Sequence, residues 1–254
     1  MIFKNIQFRA SPIVIQAHRN QNILPQPIKL DIPKWFKSLN HGKELKTIKG
    51  CIPFLETLQT GYLIRNYQDT HIKHNILTEF DVGPGDTKHG KGSVEYAINN
   101  PHLGADLNMA QEAQLHTPEQ LGDSPLVKKN KNLEFHKILN PWIIVTPPGY
   151  SCLFTAPLNN RDDRFEIISG IVSTDNYYNH INFPFTLNGD KYEQIDTIIK
   201  MGTPVAQVIP FKRESWTHSI EPVDWDKKLS VINTIQASFL YAYKKFFWRK
   251  AKWK

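Results

Sequence analysis

Between Asn140 and Arg213 the chain is a succession of short β-branched and aromatic runs cut by proline, glycine and asparagine. It begins Asn140-Pro-Trp-Ile-Ile-Val-Thr-Pro-Pro-Gly-Tyr-Ser151 and ends Gly202-Thr-Pro-Val-Ala-Gln-Val-Ile-Pro-Phe-Lys-Arg213. Proline inside a helix removes a hydrogen bond and collides with the preceding turn, so this stretch cannot be built from long helices. Short apolar runs bounded by turn formers are the signature of a compact antiparallel sheet. Pro147-Pro-Gly-Tyr150 predicts a type II turn, with Pro148 and Gly149 at its two central positions. Trp142 and Phe154 then read as core packing.

The C-terminus follows a different rule. From Pro222 onward, Leu229, Ile232, Ile235, Phe239, Leu240, Tyr243 and Phe247 recur at spacings of three and four, the apolar stripe of a helix of about five or six turns. Asp224 and Asp226 near its start and lysines near its end suit the helix dipole. The expected fold class is therefore mainly β, an antiparallel sandwich or distorted barrel of short strands, followed by a long C-terminal amphipathic helix. Residues 1–220 are read as one β-rich domain with a long-loop insertion at about 81–131, and residues 221–254 as the basic, aromatic helix.

Elsewhere the pattern is more local. Ser11-Pro-Ile-Val-Ile-Gln16 reads as a strand after a turn, Asp31-Ile-Pro-Lys-Trp-Phe36 as the start of a short helix, and Gly61-Tyr-Leu-Ile64 and Thr70–Leu77 as strands. A short helix is expected to begin at Pro118. No run approaches the roughly 18 apolar residues of a membrane span, and Met1–Arg9 alternates like a strand rather than a secretory leader. Cys51 and Cys152 have no partner cluster and are read as free thiols.

The net charge of +7 is concentrated at one end. Lys244, Lys245, Arg249, Lys250, Lys252 and Lys254 supply six positive charges with no acid among them, and without them the net charge falls to +1. That distribution argues against a protein that coats polyanions with its whole surface. Tyr243, Phe246, Phe247, Trp248 and Trp253 interleave with Arg249, Lys250 and the other cations. This combination suits contact with a protein partner or a second copy of the chain. It also suits nucleic acid, through phosphate charge and stacking, or a membrane surface. Large aromatics left in water would be costly, which favours their burial against something.

Candidate ligand-binding residues are Asp175, His180, Gln207, Lys212 and Arg213. Asp175 and His180 could act as a base and its orienter across a hairpin, although Asp175-Asn-Tyr-Tyr-Asn179 also has turn chemistry. Gln207 could read an amide or pair with sheet backbone, and Lys212 and Arg213 are anion-binding candidates at a strand end. His71 and His74 lie on opposite faces of a strand, so they do not make a shared metal site. No catalytic residue, metal or cofactor is expected: no Gly-x-Ser-x-Gly, Cys-x-x-Cys, His-x-Asp or His-Glu-x-x-His is present.

Asn140-Pro-Trp142, Thr146–Ser151, Gly170-Ile-Val-Ser-Thr-Asp175, Ile181-Asn-Phe-Pro-Phe185 and Gly202–Arg213 together resemble an uncharacterised family of tailed-bacteriophage proteins, found more distantly in bacterial genomes. Cys51–Tyr62 resembles its upstream signature, so the likeness runs over about 160 residues with a poor match at 65–135. It implies a viral gene product and no particular activity. Ser173 stands where that family tends to carry an aspartate.

A weaker likeness is to the deoxyuridine triphosphatase and deoxycytidine triphosphate deaminase superfamily, through Gly170-Ile-Val-Ser173, Tyr177 and Gly202–Gln207. Ser173 again replaces the water-activating aspartate, and Phe154-Thr-Ala-Pro157 lies where the phosphate-contact motif would be. The resulting expectation is a non-enzymatic phage-encoded structural or interaction protein that assembles through its C-terminal helix, in the host cytoplasm or on the virion. The alternative is a nucleotide-binding or nucleotide-hydrolysing protein with a degenerate triphosphatase-like hairpin.

Overall fold

The computed structural model describes residues 4–80, 89–96, 115–116, 120–122, 124–127, 135–238 and 241–254. Its strands are β1 (Gln7–Arg9), β2 (Gln26–Pro27), β3 (Tyr62–Arg65), β4 (Thr70–Phe80), β5 (His89–Tyr96), β6 (Leu115–His116) and β7 (Phe135–Ile138). These are followed by β8 (Ile143–Val145), β9 (Tyr150–Thr155), β10 (Phe165–Ile167), β11 (Gly170–Val172), β12 (Phe183–Leu187), β13 (Gln194–Ile199) and β14 (Pro204–Lys212). They form antiparallel sheets ordered β11-β9-β14-β3-β2, β10-β12-β7-β6, β13-β4-β5 and β1-β8. Among the described residues no sheet closes into a barrel.

One apolar core serves all four sheets. Ile64, Val208 and Phe154 come from the first, Phe165, Ile138 and Phe183 from the second, Ile72 and Ile199 from the third, and Ile144 from the fourth. In β12 the alternation places Phe183 and Phe185 inward, where Phe185 meets Phe165 edge-on at 5.8 Å and Phe183 lies 6.0 Å from Phe154. Pro210 sits in β14 beyond Val208, the last residue of that strand paired with β3, so a residue without an N–H is tolerated there.

The predicted strand at 11–16 is instead helix α1 (Pro12–Asn20). Ser11 caps it, its hydroxyl accepting from the Val14 N–H at 3.3 Å, and Pro12 occupies the first turn. Val14 and His18, four apart, form the buried face, so helical spacing outweighed the β-branched composition. Helix α2 (Lys34–Ser38) begins one residue after Pro33, while Asp31 turns aside to bind Arg65 at 2.6 Å. Helix α3 (Ile52–Thr57) occupies the apolar run before β3.

The region read as loops at 81–131 contains β5, paired with β4 in an antiparallel ladder, and the short β6. The helix start expected at Pro118 lies outside the described residues. The long C-terminal helix is shorter than its periodicity predicts. Helix α4 spans only Trp225–Gln236, capped by Asp224 through the Lys227 N–H at 3.0 Å. A separate π-helical turn follows at Tyr243–Phe247. Tyr241, between them, has a positive φ of 62°, a backbone state that a continuous helix cannot contain.

Candidate functional site

Asp175 lies in the connection from β11 to β12, which is not the expected hairpin because β11 pairs with β9 and β12 with β10 and β7 in another sheet, and the chain leaving β14 holds Arg213. Arg213 donates from Nη1 and Nη2 to the two carboxylate oxygens of Asp175 at 2.8 and 2.5 Å. The Gly149 N–H donates to the same carboxylate at 2.8 Å. Gly149 has φ +83°, and the Tyr150 N–H donates to Pro147 O, which gives the predicted type II turn. Arg213 also reaches Tyr150 O and the Ser151 hydroxyl. The Asp175 side chain is only 9% exposed. The guanidinium of Arg213, reinforced by the Gly149 N–H, holds its pKa down to about 2.

Both Asp175 oxygens are thus engaged by Arg213 and Gly149, and His180 forms a backbone bridge with Ile143. Ser173, the residue that departs from the phage pattern, accepts through its carbonyl from the Asn176 and Tyr177 N–H groups, a turn role that serine fills without a carboxylate. Gln207 is fully buried. Its Oε1 accepts from the Leu158 N–H at 2.8 Å, and its Nε2 donates to the carbonyls of Thr57 and Thr60 at 3.0 and 2.7 Å. Lys212 pairs with Glu214 at 2.7 Å. Gln207 and Arg213 therefore stitch loops to strands, whereas Lys212 makes a local surface pair.

The same holds for the other motifs in this block. Buried Asn140 donates to the carbonyls of Trp142 and Ile181, and accepts from the Trp142 N–H. Asn182 accepts from the Asn140 N–H, which ties the Asn-Pro-Trp segment to the Ile-Asn-Phe segment. The Thr146 and Thr174 hydroxyls meet at 2.7 Å, beside Cys152. Cys152 is free and buried, and burial pushes its thiol up to about 11, far from the range of a nucleophile at neutral pH. His71 binds Asp196 at 2.5 Å, and the side chain of His74 lies outside the described set. Among the described residues no group of three metal-ligating side chains converges.

A different surface emerges past Arg213. Every residue from 212 to 231 is exposed, first in a segment without regular structure and then in α4. Trp216 is 84% and Ile220 94% exposed. On α4, Trp225 and Leu229 form an apolar stripe with Ile232 and Ile235, and none of the helix is buried. The segment is anchored at both ends. Arg213 clamps its start onto Asp175, and beyond α4 Tyr241 lies 6.1 Å from the His41 ring.

The other C-terminal candidates divide. Tyr243 and Phe246 are exposed, as are Arg249 and Lys250, whereas Phe247 and Trp248 are half-buried. Lys250 stands over the Trp248 ring. Trp253 returns to the core, edge-on to Tyr62 at 5.9 Å. Sequence periodicity found the stripe on α4. It missed Trp216 and Ile220, which lie in a segment without periodicity; their only signal is large apolar residues among Glu214, His218 and Glu221.

No helix of the described residues is long and apolar enough to cross a membrane. Comparison with family models, curated proteins and solved structures finds no match.

Proposed function

We propose that this protein is a non-enzymatic assembly component that joins a protein partner, a second copy of itself included, through the arm formed by residues 214–236. The observation that carries this reading is the unbroken exposure from 212 to 231, with Trp216, Ile220, Trp225 and Leu229 held in solvent. Large aromatic and aliphatic side chains on an irregular segment and a short helix are the anchors that bury in a groove on a partner. Tethering at Arg213 and Tyr241 limits the conformational freedom that binding must remove, which favours affinity.

The likeness of the 140–213 motifs to tailed-phage proteins supports placing this assembly role in a phage particle or its construction. The nucleotide-hydrolysing alternative draws less support. Asp175, Gln207, Lys212 and Arg213, the residues it would use, spend their polar atoms on internal bonds.

Light scattering coupled to gel filtration, run across a range of protein concentrations and with co-purified virion proteins, tests the proposal. Association is expected, and the double variant Trp225→Ser, Leu229→Ser is expected to abolish it with the melting temperature unchanged, since neither side chain is buried. A protein that stays monomeric at high concentration and is absent from virions by mass spectrometry would overturn it.

A further inference from the structure

A concavity that the arm does not line opens where both ends of the described chain meet β9 and β14. It encloses about 470 Å³ and is walled chiefly by Lys4, Tyr62, Tyr150, Pro210, Lys252 and Trp253. That volume lies within the roughly 300–1,000 Å³ of small-molecule sites.

Three features define its chemistry. First, its aromatic walls are fixed in place. Tyr62 belongs to β3 and stands edge-on to Trp253 at 5.9 Å on one side and to Phe8 at 5.4 Å on the other. Its hydroxyl donates to the main-chain oxygen of Lys254 at 3.1 Å, which holds residues 252–254 against the sheet. Second, its charged side chains have one sign: Lys4, Lys252 and Lys254 line the cavity, and among the described residues no aspartate or glutamate does. A concave surface lined by one sign of charge concentrates the opposite ion. Third, the cations sit beside the rings, with the Lys4 ammonium 6.0 Å from the centroid of Tyr150. Pro210 adds a rigid apolar surface, available because β3 no longer pairs with β14 at that point.

We propose that this cavity binds a nucleobase carrying a phosphate, the base against Trp253 or Tyr150 and the phosphate between Lys4 and Lys252. A flat π-system joined to an anion is the ligand that aromatic walls and clustered lysines recognise together, and base stacking of this kind is sequence-tolerant. The chemistry is shared by free mononucleotides and by single-stranded nucleic acid. The site is independent of the assembly arm, and it uses neither Asp175 nor Arg213.

Calorimetric titration of the full chain with AMP, with adenosine and with a twelve-residue oligo(dT) tests it. AMP or the oligonucleotide is expected to saturate at sub-millimolar concentration, and adenosine to bind at least tenfold more weakly than AMP. The variant Lys4→Gln, Lys252→Gln alters only exposed side chains. It is expected to weaken binding at least tenfold without changing the melting temperature. Tighter binding of the oligonucleotide, with affinity falling steeply as salt rises, assigns the site to a strand. Equal or tighter binding of AMP assigns it to a free nucleotide. Absence of saturation by either ligand at millimolar concentration, or affinity unchanged in the double-lysine variant, overturns the proposal.

Discussion

Arg213 grips Asp175 with two nitrogens, at 2.8 and 2.5 Å, and so fastens the chain leaving β14 to the loop that follows β11. Because Gly149 donates to the same carboxylate, one aspartate closes the Pro147–Tyr150 turn, the β11–β12 connection and the root of the arm.

Acid should undo this junction. A carboxylate whose folded pKa is depressed contributes stability above its unfolded value and loses it as pH falls through the folded value. For Asp175 the window runs from about 4 down to about 2. Asp175→Asn is expected to lower the melting temperature at pH 7 and to remove part of the wild-type decline between pH 4 and 2. Scanning calorimetry across that range reads both effects. A wild type and variant whose melting curves fall in parallel would show that the pair adds nothing.

His18 should produce a second, higher window. It is 1% exposed, packs edge-on against Trp142 at 5.2 Å, and neither ring nitrogen has a hydrogen-bond partner among the described residues. Burial lowers its pKa to about 4, so the fold holds it neutral while the unfolded chain takes up a proton below about 6.5. Stability is therefore lost as pH falls from about 6.5 to about 4, at about 1.4 kcal/mol per pH unit for each such group. His136, held near 4 chiefly by burial and also by the neighbouring His116 charge, adds to the same slope. Urea unfolding of His18→Phe between pH 7 and 5 is expected to show a shallower pH dependence than the wild type.

Gln207 should be among the least replaceable residues of β14. Gln207→Leu keeps much of the bulk but strands the Leu158 N–H and the Thr57 and Thr60 carbonyls. A buried group left without its partner costs about 1–3 kcal/mol, so a loss of at least about 3 kcal/mol is expected in a denaturant titration. A shift in midpoint corresponding to less than about 1 kcal/mol would mean that water replaces the side chain.

Two glycines with nearly the same φ should respond differently. Gly61, at +79°, has no room for a methyl group, since a Cβ would lie 2.2 Å from the carbonyl oxygen of Val208. Gly149, at +83°, faces open space. Gly149→Ala pays only for the left-handed conformation, about 1–2 kcal/mol. Gly61→Ala must also move β3 off β14, and is expected to cost at least twice as much by thermal unfolding.

The motifs most recognisable in the sequence proved to be joints. Asn140 with Asn182, Thr146 with Thr174, Gly149 with Asp175 and Gln207 with Thr57 each join segments far apart in the chain. Their residue types could be read from the sequence, but their partners could not, because a side-chain amide or carboxylate gives no sign of which backbone it will meet. The same gap affected α1. Ser11-Pro12 is a helix start, yet Ile13, Val14 and Ile15 carry strand composition, and only the packing of Val14 and His18 against the body settles between them.

Local chemistry was enough to determine the mainly antiparallel β character, the type II turn at Pro147–Tyr150, strands close to those expected at 61–64 and 70–77, the short strands of the 140–213 block and the apolar stripe of α4. Each depends on neighbours within a few residues: proline's fixed φ, glycine's access to positive φ, and the spacing of apolar side chains. Tertiary structure alone decided that the C-terminal helix breaks before Tyr241, that its stripe stays in solvent while Trp253 returns to Tyr62, and that Lys4 and Lys252 share one cavity wall. Those outcomes depend on contacts between segments up to about 250 residues apart. Which apolar face is buried first is a competition for a limited core, and no local pattern records its result.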